Sequence, residues 1–232
     1  VKKISNTGGR NATAYSYIEK ARYAVGLYLN RHHINCVAVD LSGNVISLIR
    51  VRENFDLNDD NYLRKIGETV EEVKKDTGLS DDRFLGVGIA VQGLISDDGE
   101  RVTYGLTLNF TGVTRADIAK YIPYHNRLFH DSAAAGYAEV WDRNDLDDAF
   151  YLSLSNSVGG AVIVANKIFE GERRKSGEIG HMTIIPKAGD RCYCGQRGCF
   201  DTVCRANVLA EYADGDLEKF FELLETKDLG AR

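Results

Sequence analysis

The chain has 232 residues, 44% of them hydrophobic, and a formal net charge of −5 at pH 7. This length permits a sizeable core and two lobes, while the acidic balance argues against nucleic-acid binding by these residues alone. No apolar run is long enough to span a membrane, and the N-terminus does not resemble a signal peptide. The five cysteines, an odd number, indicate a reducing compartment. We therefore expect a cytoplasmic protein.

The first half of the chain has the pattern of a sheet with one amphipathic helix. Residues 5–13 are rich in Gly, Asn and Thr and are not typical of a core element. Four apolar runs predict strands at Tyr23–Leu29, Ile34–Leu41, Val45–Val51 and Phe84–Val91. A tight turn at Ser42–Asn44 predicts a hairpin. Apolar residues at helical spacing predict a helix that ends at Gly78: Leu63, Ile66, Val70 and Val73.

The second half repeats the alternation of helix and strand. The pattern predicts a helix near Ala133–Trp141 and strands at Phe150–Leu154 and Gly160–Ala165. Near the C-terminus, four apolar residues share one face of a predicted helix: Leu217, Phe220, Phe221 and Leu224. Strands alternating with helices are typical of the α/β class.

A group of three cysteines and one histidine predicts a structural zinc site. Zinc prefers four tetrahedral N and S ligands, and a Cys₃His set leaves no coordination position open for catalysis. Gly195 and Gly198 allow the backbone to curl so that the thiolates converge. The alternative is three ordinary thiols and an unrelated histidine, but core thiols rarely cluster in a Gly-rich loop. The predicted ligands are His181, Cys192, Cys194 and Cys199.

The segment from Glu178 to His181, followed by the CYCGQRGC loop, resembles the ROK family of repressors, open reading frames and sugar kinases. The resemblance extends from Thr7 to about Leu224. It implies an actin-like ATPase (ribonuclease H-like) fold with an N-terminal lobe over residues 21–126 and a C-terminal lobe over residues 127–232. The zinc site would belong to the second lobe. Because family members continue into further helices and strands, we expect this C-terminal lobe to be truncated.

Two loops that bind phosphate in the family's kinases are altered. The kinases carry a DxGGT loop between the first two strands, whereas Tyr28–His32 reads YLNRH. Their second loop, GTGxGGG, corresponds to Ser155–Ala161, which reads SNSVGGA. Backbone N–H groups approach phosphate closely only where glycine leaves space. The resemblance therefore implies a chain that does not bind ATP and is not an enzyme.

Residues 1–20 resemble a linker remnant. Thr7–Arg10 reads TGGR and is similar to the segment that joins a winged helix-turn-helix to the sugar-binding region in the family's repressors. The alternative is a flexible tail. The preceding VKKISN is too short for a DNA-binding motif. DNA would thus be bound only through a helix-turn-helix domain absent from this chain.

The resemblance also assigns a sugar-binding set, whose members would pair with neighbouring hydroxyls in a cleft. Glu178 would accept from two hydroxyls, and His181 would donate to one while its other nitrogen binds zinc. Asp131 matches the kinases' general base and would act here as a hydrogen-bond acceptor. His130 stands where asparagine is usual, and Asp201 where glutamate is usual.

Asn109, in LTLNFTG, corresponds to a further sugar contact. For two of the acidic residues, a purely structural role is the alternative to sugar binding. Asp131 precedes Ser132 and Ala133, and Asp201 precedes Thr202, so each carboxylate has the position of a helix N-cap.

These features favour the sugar-sensing effector domain of a ROK transcriptional regulator. Sugar binding would close the two lobes and alter a homodimer, since a ligand shifts the population toward the state that it prefers. One alternative is an ATP-dependent sugar kinase with atypical phosphate loops. Another is a regulator that has lost sugar binding and responds to protein partners.

Overall fold

A computed structural model describes residues 2–4, 12–143 and 147–226. The strands are β1 Lys2–Ile4, β2 Ala12–Ala14, β3 Tyr23–Leu29, β4 His33–Asp40, β5 Val45–Arg52, β6 Phe84–Val91, β7 Leu94–Ile95, β8 Val102–Tyr104, β9 Asn126–His130, β10 Ala149–Leu154, β11 Val158–Val164 and β12 Lys167–Phe169. The α-helices are α1 Asp60–Asp76, α2 Arg115–Ile118, α3 Asp131–Asp142, α4 Asp201–Cys204, α5 Ala206–Glu211 and α6 Leu217–Glu225. The α/β class is confirmed.

The larger sheet has five strands in the order β5-β4-β3-β6-β9. Strands β5, β4 and β3 are antiparallel, whereas β6 and β9 run parallel to β3. Side chains of β3 alternate between buried and half-buried, which is the period of two expected for a strand. Gly43, with φ +81°, lies in the predicted hairpin turn between β4 and β5.

Strand β9 belongs to this first sheet. It pairs with β6 from Asn126 opposite Val87 to His130 opposite Val91. We expected the second lobe to begin at residue 127, so the sheet extends beyond the predicted boundary. The sequence pattern did not indicate this pairing, because β9 is separated from β6 along the chain by the hairpin β7–β8 and helix α2.

Helix α1 covers one face of the larger sheet. The Asp59 carboxylate caps its start by accepting from the N–H of Asn61. The helix ends before Gly78, which has the left-handed φ of +64°. The core that it forms with the sheet includes the four helical residues predicted from spacing and the inward side chains of the strands.

Gly67 allows α1 to pack closely against the segment after α2, and its replacement by alanine is expected to destabilise the protein. A methyl group at this position would lie 2.5 Å from the carbonyl oxygen of Tyr121. Alanine normally stabilises a helix interior by about 1 kcal/mol relative to glycine, but overpacking costs about 1–3 kcal/mol. We expect the free energy of unfolding to fall by about 1–2 kcal/mol in urea titrations. Glu72→Ala, on the exposed face of α1, is the control, and a stabilised Gly67→Ala variant would contradict the packing.

The second lobe contains a three-stranded sheet in the order β10-β11-β12. Helix α3 begins at Asp131, directly after β9, and therefore connects the two sheets. Gly136 brings this helix close to Ala161 of β11. The predicted helix and both predicted strands of this half are present, each within a few residues of its expected bounds.

The last helices form a small cluster of their own. Phe220 of α6 is buried with Ala213, and the partly buried Leu217 and Leu224 pack against them. Phe221 is 51% exposed, so it does not share the buried face that we predicted for it. It immediately follows Phe220 in the helix and consequently lies about 100° round the axis.

The N-terminal strands β1 and β2 pair as an antiparallel ribbon separate from both larger sheets. The segment Thr7–Arg10, which we interpreted as a linker, lies outside the described residues. Among the helices of the described part, none combines the length and apolar character that crossing a membrane would require.

Candidate functional site

The predicted metal ligands meet in space. One ligand atom from each of His181, Cys192, Cys194 and Cys199 lies within 4.8 Å of all the others. The Sγ atoms of Cys194 and Cys199 are 3.7 Å apart, and Cys192 Sγ is 3.5 Å from His181 Nδ1. With Zn–S of about 2.3 Å and Zn–N of about 2.0 Å, a tetrahedron has edges of roughly 3.8 and 3.5 Å. The donor set and its spacing therefore fit zinc.

Local hydrogen bonds build this cluster. The N–H of Gly195 donates to the carbonyl of Cys192 at 3.0 Å, and the N–H of Cys192 donates to Gln196 at 2.8 Å. Gly198 has a φ of +69°, and any side chain there would collide with the carbonyl oxygen of Ile185. Burial raises the pKa of the Cys192 thiol to about 12. Zinc binds the thiolate, so binding would release a proton and weaken as pH falls.

Four predicted sugar-binding residues lie together in a cleft between the lobes. His130 ends β9 and Asp131 begins α3, while Glu178 precedes and His181 ends a short 3₁₀ turn. His130 Nε2 is 3.7 Å from Glu178 Oε1, and His181 Nε2 is 3.8 Å from Glu178 Oε2. His181 thus presents Nδ1 to the thiols and Nε2 to the cleft. The resemblance implied that one nitrogen binds zinc and the other a sugar, and these two roles stay a prediction.

Asp131 is held at the base of the cleft. Burial raises the pKa of its carboxyl, against the opposing effects of His130 and of the N–H of Ser132. That N–H donates to Asp131 Oδ1 at 2.7 Å, and His130 Nε2 is 3.7 Å from the same oxygen. Asp131 is the first residue of α3 rather than its N-cap, which is His130. Asp131 is one of the residues that line the cleft.

Two other predicted contacts do not reach the cleft. Asn109 is exposed, has a φ of +55°, and is not among the cleft-lining residues. Asp201 is fully buried, and its Oδ1 accepts from the N–H of Val158 at 2.8 Å. The capping alternative for Asp201 is also wrong, because the N–H that it accepts belongs to β11 and not to α4. Its other oxygen, Oδ2, is buried and lies 3.8 Å from Nη1 of Arg205.

The cleft includes residues that sequence reasoning did not single out. Gln92, Tyr104 and Thr107 line it from the first lobe. Tyr193 lines it from the second lobe and packs edge-on against His181, with the ring centroids 5.0 Å apart. The sequence signal for Tyr193 was its position between two of the cysteines that we predicted as metal ligands. Gln92, Tyr104 and Thr107 are brought to the cleft by the β7–β8 hairpin and the turns beside it. These segments contain no motif that would have identified them from the sequence.

The turn between β3 and β4 is closed by its own side chains. Asn30 Oδ1 accepts from the N–H groups of His32 and His33 at 3.0 and 2.9 Å. Arg31 donates to the carbonyl of Thr107 at 2.7 Å. Beneath the turn, Tyr28 is half-buried, and its hydroxyl accepts from Gln92 Nε2 at 3.3 Å. The backbone N–H groups of Asn30, His32 and His33 are therefore already paired.

Comparison with known proteins agrees with this arrangement. The family model described as the ROK family matches residues 24–229. The chain belongs to this family. It is 27% identical over 210 residues to the xylose repressor of Bacillus subtilis, an alignment that covers 88% of this chain and 53% of the repressor. The chain thus spans about half the length of this curated relative.

ROK structures of both functional types have the same actin-like fold. The glucokinase from Streptomyces griseus, solved with glucose and AMPPNP, superposes with a TM-score of 0.72 at 20% identity, over 90% of this chain and 73% of the glucokinase. A ROK transcriptional regulator homologous to the E. coli MLC protein gives 0.67 at 22% identity, over 84% of this chain and 51% of the regulator. The Cys/His cluster of this chain is consistent with the zinc motif of the family.

Proposed function

We propose that this chain is the sugar-binding effector region of a ROK transcriptional regulator, that zinc stabilises it, and that it does not phosphorylate sugar. The observation that carries the proposal is the closed turn between β3 and β4. Phosphate loops bind anions through free backbone N–H groups. Here Asn30 occupies the N–H groups of His32 and His33, so these two groups are not free to bind a triphosphate.

The second phosphate-loop position supports the same conclusion. It lies between β10 and β11, where the N–H of Val158 donates to the buried Asp201 and the N–H of Ser155 donates to Ser157. Between the two loops, burial and the charge of Asp131 raise the pKa of the Tyr28 hydroxyl. A neutral phenol therefore stands where the kinases carry an aspartate.

The cleft itself has the chemistry of a sugar site. Glu178 and Asp131 supply acceptors for hydroxyl protons, and His130 and His181 supply ring nitrogens on the same side. Zinc would fix the ring of His181 through Nδ1 and so hold Nε2 toward the ligand. The relatives include a xylose repressor, an N-acetylglucosamine repressor and a glucokinase, which favours one of these sugar types.

As a regulator, the protein would respond through the geometry of its two lobes. The cleft lies between them, so a bound sugar would favour the closed arrangement by contacting both sides. In the proposed function this change alters a homodimer, and a separate helix-turn-helix domain binds DNA. Whether the sugar acts as an inducer or as a corepressor depends on which of the two lobe arrangements binds the operator DNA.

A sugar kinase is the second candidate, and Asp131 favours it. The carboxyl has a raised pKa and lies in the cleft beside Glu178 and His130, as a general base for a sugar hydroxyl requires. The ROK family includes kinases of the same fold. Transfer of phosphate in the presence of Mg-ATP distinguishes the two candidates.

A screen of the zinc-loaded protein against sugars and sugar phosphates, with and without Mg-ATP, tests the proposal. A ligand that binds only the native state stabilises it by RT ln(1 + [L]/Kd), which is about 2.7 kcal/mol at a hundredfold excess over Kd. We expect at least one sugar to raise the melting temperature and Mg-ATP to leave it unchanged. Phosphorylated product in a coupled assay would refute the regulator assignment, and no shift with any sugar would refute sugar binding.

A further inference from the structure

A second cavity, which we call the junction groove, opens beside the cleft. Its volume is about 430 Å³. It lies where β9 and α3 meet the loop after β12, and its walls are predominantly apolar. Its main apolar residues are Leu94, Ile95, Phe129, Ala134, Tyr137 and Phe169.

Large aromatic side chains remain exposed along this groove. Phe129, Tyr137 and Phe169 are 41%, 54% and 53% exposed. Contiguous exposed apolar surface of this kind is uncommon unless it binds something. Ala133 and Gly177 also line the groove, and the single methyl group of the alanine and the absence of a side chain on the glycine leave the space open.

The junction groove is continuous with the cleft. Leu94, His130 and Glu178 line both cavities. A sugar held by Glu178 would therefore have one side directed at the groove. The two cavities together offer a polar end and an apolar end to a single ligand, which is the usual composition of a small-molecule site.

The rim of the groove carries charges of both signs, among them Arg127, Glu170 and Arg174. The guanidinium of Arg174 is 3.4 Å from a carboxylate oxygen of Asp97 and 3.4 Å from one of Glu170. It also donates to the carbonyl of Ser96 at 3.2 Å, which links the second lobe to the first. Because both carboxylates lie beside Arg174, its positive charge is balanced and is not available to bind an anionic group.

We propose that the junction groove binds an apolar substituent of the sugar ligand, so that the preferred ligand is an aryl or alkyl glycoside rather than a free monosaccharide. The inference rests on the proposed sugar-binding function and names its ligand class. An apolar cavity of roughly 150 Å³ already holds benzene. The groove therefore has room for a phenyl ring or a short alkyl chain.

Matched methyl and phenyl glycosides of xylose and glucose, in both anomers, test this proposal by isothermal titration of the zinc-loaded chain. Burial of the ring should make the phenyl glycoside of the recognised sugar bind about tenfold more tightly than the methyl glycoside. Ala134→Leu, which fills the groove, should abolish this preference. Ala138→Leu, at an exposed position of the same helix that does not line the groove, is the matched control and should keep it.

A second variant keeps the experiment interpretable if Ala134→Leu does not fold. Phe169→Ser removes an aromatic wall at an exposed position and should also reduce the phenyl preference. Equal affinity for methyl and phenyl glycosides would overturn the groove proposal while leaving sugar binding intact. A phenyl preference that survives both variants would also overturn it. Failure of every glycoside and every free sugar to bind would overturn both this proposal and the proposed function.

Discussion

Replacement of Cys199 by serine is expected to remove zinc and to unfold the second lobe. Cys199 is fully buried and contributes one of four converging ligand atoms. Structural zinc in small domains contributes about 10–16 kcal/mol of apparent binding free energy, which is also folding free energy. We expect the free energy of unfolding to fall by at least about 5 kcal/mol, comparable with the whole stability of many domains. Zinc content by mass spectrometry and thermal unfolding measure the two effects.

The matched control for this change is Cys204→Ser. Cys204 is a half-buried thiol of the same region but lies outside the ligand cluster. This variant should retain one zinc ion and unfold near the temperature of the unaltered protein. A chelator should lower the melting temperature of the unaltered protein and of Cys204→Ser, and should have no further effect on Cys199→Ser. Full zinc occupancy in Cys199→Ser would contradict the assignment of the four ligands.

Replacement of Glu178 by glutamine is expected to weaken sugar binding by about a hundredfold. The carboxylate faces both His130 and His181 across the cleft and is free to accept from two sugar hydroxyls. Hydrogen bonds to a charged group contribute about 1.5–3 kcal/mol each, and two of the weaker ones correspond to a hundredfold change in Kd. Glutamine retains the size of the side chain but replaces one acceptor with a donor. Titration with the sugar found in the thermal screen measures the loss.

Glu172→Gln separates this effect from a general loss of charge. Glu172 belongs to the same loop region and is exposed, away from the cleft. It should bind the sugar as the unaltered protein does. Both variants should retain zinc, since neither residue supplies a metal ligand. Unchanged affinity in Glu178→Gln would remove Glu178 from the site, whereas loss of zinc would show that it acts by supporting His181.

Much of the architecture follows from local sequence pattern. The strands β3 and β6 have the bounds that their apolar runs predicted, and the core side of α1 includes the four residues found at helical spacing. The convergence of the Cys/His cluster was also predictable, because three of its four members lie within one short loop whose glycines allow it to close. In each case the residues that meet are close in the sequence. Periodicity and the spacing of residues along the chain were therefore sufficient to predict these features.

The tertiary structure alone decided which distant residues share the cleft and the groove. It placed β9 in the first sheet, buried Asp201 against Val158, and left Asn109 outside the cleft. It also brought Gln92 and Tyr104 to the site, and it placed exposed aromatic rings from both lobes along one cavity. The physical reason is that such contacts depend on how two separately patterned lobes pack. The periodicity of a strand or helix determines which face a side chain occupies. It does not determine which residue that side chain contacts across the interface between the lobes.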